Sequence, residues 1–287
     1  MLRGCAMTAA VPGSIVANAV AAGTGVGAFN VIQLELAEAI VAGAEQAGLP
    51  VILQISENCV RYHGALAPIA RACQAIARAA SVDVSVHLDH AESVDLIAEA
   101  LDLGIDSVMV DASKLPDEAN RAVTAAVAAM CHRRGAVVEA ELGEVGGKDG
   151  VHAPGARTDP DAAAEFARVT GVDALAVAVG TSHAMTERVA TLDFDLIGRI
   201  HRAVPVPLVL HGSSGVSDDD LALAVASGMT KINIATLLNH VFTDSARTTL
   251  AANPALVDTR KYLGPARDAV ADAVAHLLTV LRRPDAP

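Results

Sequence analysis

The chain has 287 residues, 52% hydrophobic but only 2% aromatic, so an ample core must be filled by Ala, Val, Leu and Ile. That length accommodates two small domains or one α/β barrel of roughly 250 residues. A net charge of −12 argues against nonspecific binding to nucleic acid or a membrane surface, yet allows a local basic pocket for a phosphorylated metabolite.

From the N-terminus, Arg3 precedes an Ala-rich run that Pro12, Gly13, Ser14 and Asn18 interrupt, which removes a continuous signal-peptide core. No stretch of about 18 uninterrupted apolar residues follows, so no transmembrane helix is predicted. Cys5, Cys59, Cys73 and Cys131 are widely spaced, with no Cys-x-x-Cys pair, as suits a reduced compartment. The expectation is a soluble, cytoplasmic protein.

The pattern predicts a helix over residues 14–22 and a first strand over 25–30 that ends at Asn30. Residues 32–47 carry Leu34, Leu36, Ala37, Ile40 and Val41 at helical spacing and stop at Gly48. A buried strand over 51–55 leads to Ser56-Glu57-Asn58, and a helix follows over 66–80. The third strand, 84–87, runs into Leu88-Asp89-His90. Helix 93–103 closes at Gly104, strand 107–110 ends at Asp111, and helix 117–134 closes at Gly135 before strand 136–141. Residues 143–157 are glycine-rich and irregular, as in a functional lid or a disordered loop. Thr158-Asp159-Pro160 caps a helix to about Thr170, and strand 174–179 ends in Gly180-Thr181-Ser182-His183. After helix 194–203, strand 207–210 ends in His211-Gly212-Ser213-Ser214-Gly215. Ser217 caps helix 218–227, the eighth strand is 231–234, and helices over 237–251 and 265–281 finish the chain.

Short buried strands alternating with helices imply a parallel sheet with helical crossovers. With no linker or break in composition, eight such units favour one closed (β/α)8 TIM barrel over a doubly wound sheet. The expected organisation is a single domain over 1–287 with additional terminal helices. Polar residues gather at the carboxyl ends of the strands, where such barrels keep their active sites. They are Asn30, Ser56, Asp89, His90, Asp111, Glu141, His183, His211 and Asn233.

Along the third strand, alternation would turn His87 and Asp89 to one side and Leu88 and His90 to the other. Where the strand ends, that restraint relaxes, and Asp89 and His90 can aim at one site. His90, His183 and His211 follow the third, sixth and seventh strands, so barrel closure can bring three imidazoles together as a catalytic Zn2+ site. Zinc there would polarise a ketone while Asp89 exchanges a proton with a hydroxyl or aldehyde oxygen. The loops after strands seven and eight, Gly212-Ser213-Ser214-Gly215 and Asn233-Ile234-Ala235-Thr236, are rich in small donors and suit a phosphate.

Other polar residues have plainer readings. His87 is expected to be a hydrogen-bonded core histidine, and Asp111 either caps a turn or serves the metal. Glu139 and Glu141 share parity, and one of them is expected to be structural. His63, His132, His201, His240 and His276 are expected at the surface. The lysines are Lys114, Lys148, Lys231 and Lys261, and only Lys231 lies on a strand, which it opens; that argues against a Schiff-base enzyme. Asp218-Asp219-Asp220 reads as the solvated first turn of a helix.

Six landmarks in order are shared with one family: His-Leu-Asp-His at 87–90, Ser-Val-Met-Val-Asp at 107–111, Val-Glu-Ala-Glu-Leu-Gly at 138–143, and the segments 173–183, 207–215 and 231–236. From Gly27 to Pro265 the chain resembles the class II, metal-dependent ketose-bisphosphate aldolases, which act on fructose or tagatose bisphosphate. The resemblance implies that Asp89 is the proton donor and acceptor and that His90, His183 and His211 hold one catalytic zinc. Asp111 and Glu141 match positions that can hold a second cation, divalent or monovalent. Gly212, Ser213 and Ser214, with Asn233, Ile234, Ala235 and Thr236, match those that bind the dihydroxyacetone-phosphate half. Asn30, Ser56 and the Ala184 backbone are expected beside the substrate. Arg260, in Asp258-Thr259-Arg260-Lys261, is expected to meet the distal phosphate across a subunit boundary in a homodimer or homotetramer.

Three stretches depart from the family pattern. Ala184-Met185 stands where glycine and then an aromatic are usual, and Ser56-Glu57-Asn58 lacks the usual glycine. Gly146-Gly147-Lys148-Asp149-Gly150 lacks the mobile-loop glutamate, leaving Glu144 or Asp149 as substitutes. The expected reaction is cleavage of fructose 1,6-bisphosphate to dihydroxyacetone phosphate and glyceraldehyde 3-phosphate. Tagatose bisphosphate, a phosphorylated deoxy-ketogluconate, a barrel that binds metal without catalysing, and a zinc hydrolase are the alternatives.

Overall fold

The computed structural model describes residues 13–142, 157–181, 188 and 190–282. Eight strands form a closed, all-parallel barrel in sequence order. They are β1 (Val26–Asn30), β2 (Val51–Ser56), β3 (Val84–Ala91), β4 (Ser107–Val110), β5 (Val137–Glu141), β6 (Ala174–Ala176), β7 (Leu208–Leu210) and β8 (Met229–Ile234). Closure is made where β8 returns to β1, with Val26 opposite Lys231 and Ala28 opposite Asn233. The fold is a (β/α)8 TIM barrel.

The helices are α1 (Ser14–Ala22), α2 (Leu34–Ala47), α3 (Glu57–His63), α4 (Ala67–Ala79), α5 (Val94–Asp102), α6 (Asp117–His132), α7 (Pro160–Thr170), α8 (Phe194–Ala203), α9 (Asp218–Ala226), α10 (Thr236–Ala252) and α11 (Arg260–Leu281). Their starts follow local chemistry. Ser93, Asp159, Asp193 and Ser217 each accept a backbone N–H from three residues on, satisfying a donor that the first turn would otherwise leave open. Among the described residues no helix is long and apolar enough to cross a membrane.

The apolar core lies mainly between barrel and helices, built from residues such as Phe29, Leu53, Leu88, Phe166 and Ile197. A smaller cluster closes the amino-terminal end of the barrel, where Ile15 and Ala19 of α1 pack on Val26, Ala28 and Ile52. On the next inward-facing levels the lining turns polar: Gln54, His87, Glu139 and Lys231 are all buried. Such residues are costly inside a protein unless they are partnered.

Several elements differ from the sequence expectation. β3 continues to Ala91 rather than stopping at His87. β8 starts at Met229, so Lys231 lies within the strand instead of opening it. α3 was not expected; Ser56 caps it by accepting the Cys59 N–H, but its seven residues carry no apolar period to reveal it. α11 begins at Arg260 and contains Pro265 inside, where residue 265 was expected to open the helix. β6 is also shorter than expected, ending at Ala176.

Candidate active site

At the end of β3 the period of two is broken. His90 has φ +48°, the one positive φ on a non-glycine among the described residues. The pairing of β3 with β4 shifts register between Leu88 and Ala91, as at a β-bulge. A side chain in that conformation costs about 1–3 kcal/mol and is found mostly where function demands it. Here it lets consecutive residues, Asp89 and His90, both serve the carboxyl-terminal mouth.

His90 Nδ1 donates to Asp111 Oδ2 at 2.7 Å, and Asp111 Oδ1 accepts from the Ser113 amide at 3.2 Å and its hydroxyl at 2.6 Å. Asp111 therefore stands behind His90 and holds its ring; it is not among the clustered donors. A carboxylate at Nδ1 fixes the tautomer that presents the Nε2 lone pair to a metal.

Asp89 is buried, and its Oδ2 accepts from Asn30 Nδ2 at 3.0 Å. Asn30 Oδ1 in turn accepts from the buried Gln54 Nε2 at 3.2 Å. Asp89 Oδ1 is buried with no hydrogen-bond partner among the described residues. Burial pushes the Asp89 carboxyl up, but the charges of His90, Lys231, His211 and His87 outweigh this and hold it below the usual range.

His211 lies between two carboxylates. Its Nε2 donates to Glu139 Oε1 at 3.0 Å, and its Nδ1 is 3.3 Å from Glu141 Oε2. Burial pulls this imidazole down, yet Glu139 and Glu141 push it up to about 9. Surroundings that favour one positive charge at that ring also favour a cation bound to it. Glu139 is opposed by burial but held far below the carboxylate range by Lys231 and His211. Lys231 Nζ donates to Glu139 Oε2 at 2.6 Å and to His87 Nε2 at 3.4 Å. Burial, then Lys231, pushes His87 down to about 3, and its Nδ1 donates to Ser107 Oγ at 2.8 Å. His87 is a core histidine, as expected.

Donor atoms of His90, Glu141 and His211 lie within 4.8 Å of one another. The 3.3 Å between His211 and Glu141 is about the ligand-to-ligand edge of a tetrahedral zinc centre with bonds near 2.0–2.1 Å. Two imidazoles and a carboxylate thus fit a divalent cation. His183 and Ala184 lie outside the described residues, as do Glu144, Lys148 and Asp149. Just before them, the buried Thr181 Oγ1 has no hydrogen-bond partner among the described residues.

The loop after β7 turns at Gly212, in the left-handed conformation, into a 3-10 turn at Ser213–Gly215. Ser213 Oγ donates to Leu210 O at 3.1 Å. Ser214 Oγ accepts from the amides of Ala235 at 3.4 Å and Leu237 at 3.1 Å, binding this loop to the start of α10. Asn233 is buried with its Oδ1 lacking a hydrogen-bond partner among the described residues. Ile234 is packed in the core, so only its backbone faces this mouth, while Ala235 and Thr236 begin α10, whose amino end suits an anion.

Two further expected substrate residues have local partners of their own. Ser56 caps α3. Arg260 is exposed and bidentate with Asp258, at 3.0 and 2.9 Å. The five histidines expected at the surface are all exposed. Sequence reasoning missed Gln54 and misplaced Lys231. A polar residue inside an aliphatic run was the available signal for Gln54, and the shared parity of Lys231 and Asn233 in Met-Thr-Lys-Ile-Asn-Ile was the signal for Lys231. A cavity of about 890 Å3 opens at the opposite end, beside Ser14, Gln74, Arg78 and Asp106, where barrels of this kind do not place catalysis.

A sequence model of class II fructose-bisphosphate aldolases matches residues 13–285. A probable fructose-bisphosphate aldolase of Bacillus subtilis (strain 168) is 40% identical over 256 residues, covering 88% of this chain and 90% of that protein. The fructose-bisphosphate aldolase of Geobacillus stearothermophilus is 39% identical over 249 residues, 85% and 87% of the two chains. Among solved structures, the YdjI aldolase of Escherichia coli K12 superposes with a TM-score of 0.81 at 32% identity, over 93% of this chain and 95% of that one. A putative fructose-1,6-bisphosphate aldolase from Coccidioides immitis gives 0.82 at 29% identity, with the same coverage. Matched over nearly its whole length and carrying a donor cluster that suits the family's metal dependence, the chain belongs to the class II fructose-bisphosphate aldolase family of lyases.

Proposed function

We propose that this aldolase uses zinc to cleave fructose 1,6-bisphosphate reversibly to dihydroxyacetone phosphate and glyceraldehyde 3-phosphate. The observation that carries the reading is a buried, ionised Asp89 beside the donors of His90, Glu141 and His211. His90, His211 and His183 would hold the zinc, with Glu141 at its edge. Bound there, the ion supplies Lewis acidity toward a ketone oxygen.

Asp89 removes the proton from the substrate hydroxyl as the carbon–carbon bond breaks and returns it in the reverse direction. Its depressed carboxyl suits the base in cleavage. Asn30, itself held by Gln54, aims that carboxylate. Ser213, Ser214 and the amino end of α10 receive one phosphate. The exposure of Arg260 supports a role at the distal phosphate of a neighbouring subunit in a homodimer or homotetramer. Buried free thiols at Cys59, Cys73 and Cys131 support a reduced, cytoplasmic setting.

The test is a coupled assay on zinc-loaded protein with a panel of ketose bisphosphates, comparing wild type with Asp89→Ala. Triose phosphate that disappears in the variant and with chelator is expected, greatest with fructose 1,6-bisphosphate. The altered segment Gly146-Gly147-Lys148-Asp149-Gly150 favours a second reading, a different sugar such as tagatose bisphosphate or a phosphorylated deoxy-ketogluconate. The same panel separates these. No triose phosphate from any sugar, with zinc bound, would leave a metal-binding barrel that does not catalyse.

A further inference from the structure

Glu139 and Lys231 are both buried in the barrel interior, which sets a problem of energetics. Desolvating two charges offsets much of their attraction, and apolar replacements of similar volume are often as stable. Stability of the fold therefore does not explain the pair. Its geometry does.

Each oxygen of Glu139 has one task. Oε2 accepts from Lys231 Nζ at 2.6 Å, and Oε1 accepts from His211 Nε2 at 3.0 Å. With its proton held at Nε2, His211 turns Nδ1 toward Glu141, at 3.3 Å from Oε2. Without Lys231, Glu139 would be an uncompensated charge pressed toward a second carboxylate across one imidazole. Lys231 is itself steadied by His87 Nε2 at 3.4 Å, and His87 by Ser107 at 2.8 Å. The chain thus runs Ser107, His87, Lys231, Glu139, His211, linking β4, β3, β8, β5 and the end of β7.

On the other side of the site, Asp111 performs the same service for His90 through the opposite ring nitrogen. Asp111 is supported by the hydroxyl and amide of Ser113, near the surface end of its strand. Glu139 lies deeper, away from such donors, and has a cation behind it instead.

We propose that Lys231 is a positioning residue of the metal site: acting through Glu139, it fixes the tautomer and ring orientation of His211, and so sets how tightly and in what geometry the site holds a divalent cation. It rests on the metal-site reading above. Outer partners of metal-bound histidines are worth about 10–100-fold in affinity.

The experiment uses metal-free full-length protein titrated with Co2+, its dissociation constant read by competition with a chelator and its geometry by visible absorption. Lys231→Met is expected to weaken cobalt binding by about 10–100-fold and to alter the absorption band. Because it leaves Glu139 uncompensated it also lowers the apo melting temperature, so both readouts are taken at a temperature where the variant is folded. A folded Lys231→Met protein with affinity within about twofold of wild type and an unchanged band would overturn the proposal. Should that variant fail to fold, Lys231→Met with Glu139→Gln removes both charges together and decides by the same two readouts. If neither folds, the pair is structural and the proposal falls. Wild-type protein that takes up no cobalt would sink the metal-site reading itself, a result distinct from a wild type that binds and a variant that binds equally well.

Discussion

His90 meets Asp111 at 2.7 Å because a left-handed residue interrupts β3 one position before it resumes pairing with β4. Ala91 O accepts the Asp111 amide at 2.8 Å, so the same bulge that turns His90 inward brings Asp111 alongside it. The pair is therefore built by backbone geometry, with the side-chain contact as its result. Asp111→Asn keeps the shape and removes the charge. Metal affinity should fall by about 10–100-fold with little change in the far-ultraviolet circular dichroism. Competition with a chromophoric chelator measures it, and unchanged affinity would remove Asp111 from the site.

Asp89 differs from the clustered donors in what its loss should do. Asp89→Asn should lower kcat for ketose cleavage by about 100–10,000-fold while bound metal, measured by atomic absorption, stays stoichiometric. Asn30→Ala, which frees Asp89 Oδ2, should cost less, about tenfold. Equal loss of metal and activity in Asp89→Asn would mean that this carboxylate serves the ion instead of the proton.

Asp218 ties three parts of the molecule together at the start of α9. It accepts from Arg188 Nη2 at 2.5 Å and from His276 Nε2 of α11 at 2.6 Å. Burial raises its carboxyl, but these hydrogen bonds and charges outweigh it and hold it below the ordinary aspartate range. A depressed carboxylate stabilises the fold above its unfolded value, and that contribution disappears as pH falls through the folded one. Because the group is partly exposed, Asp218→Asn should cost only about 0.5–1 kcal/mol at pH 6. Urea melts of the two proteins should converge as pH falls through the folded value of that carboxyl. A gap that persists there would exclude titration of Asp218 as its source.

At Gly43, α2 packs directly against the backbone of α11. A Cβ there would collide with Ala271 O and stand 2.8 Å from Val274 Cβ. Helix propensity alone would favour Gly43→Ala by about 1 kcal/mol. The neighbours are backbone and a β-branched side chain that cannot swing aside, so overpacking should win, with net destabilisation of about 1–3 kcal/mol. Thermal melting decides the sign, and a more stable variant would show that α11 can slide.

Much of this architecture was legible from short stretches. Gly48 ends α2, Ser93 and Ser217 open α5 and α9, and aliphatic runs such as Val51 to Ile55 mark strands. Caps and periodicity act within a few residues, so the barrel's order and the strand ends carrying Asn30, Asp89, Asp111, Glu141 and His211 could be read directly. The shared landmarks at 87–90 and 207–215 carried the family resemblance for the same reason: they are contiguous.

Tertiary structure decided what depends on distant partners. Whether Asp89 and His90 share one site rests on the bulge against β4, which alternation within β3 argued against. The depth of Lys231 rests on β8 pairing with both β7 and β1, and only that register brings its ammonium to Glu139. Asp111 behind His90 and Glu139 behind His211 are likewise contacts across 21 and 72 positions of the chain. Sequence alone determined which residues stand at the ends of the strands, because that follows from local periodicity and capping. Which of them become metal donors, and which carboxylate holds which ring nitrogen, was decided by strand register and barrel closure, which are properties of non-local pairing.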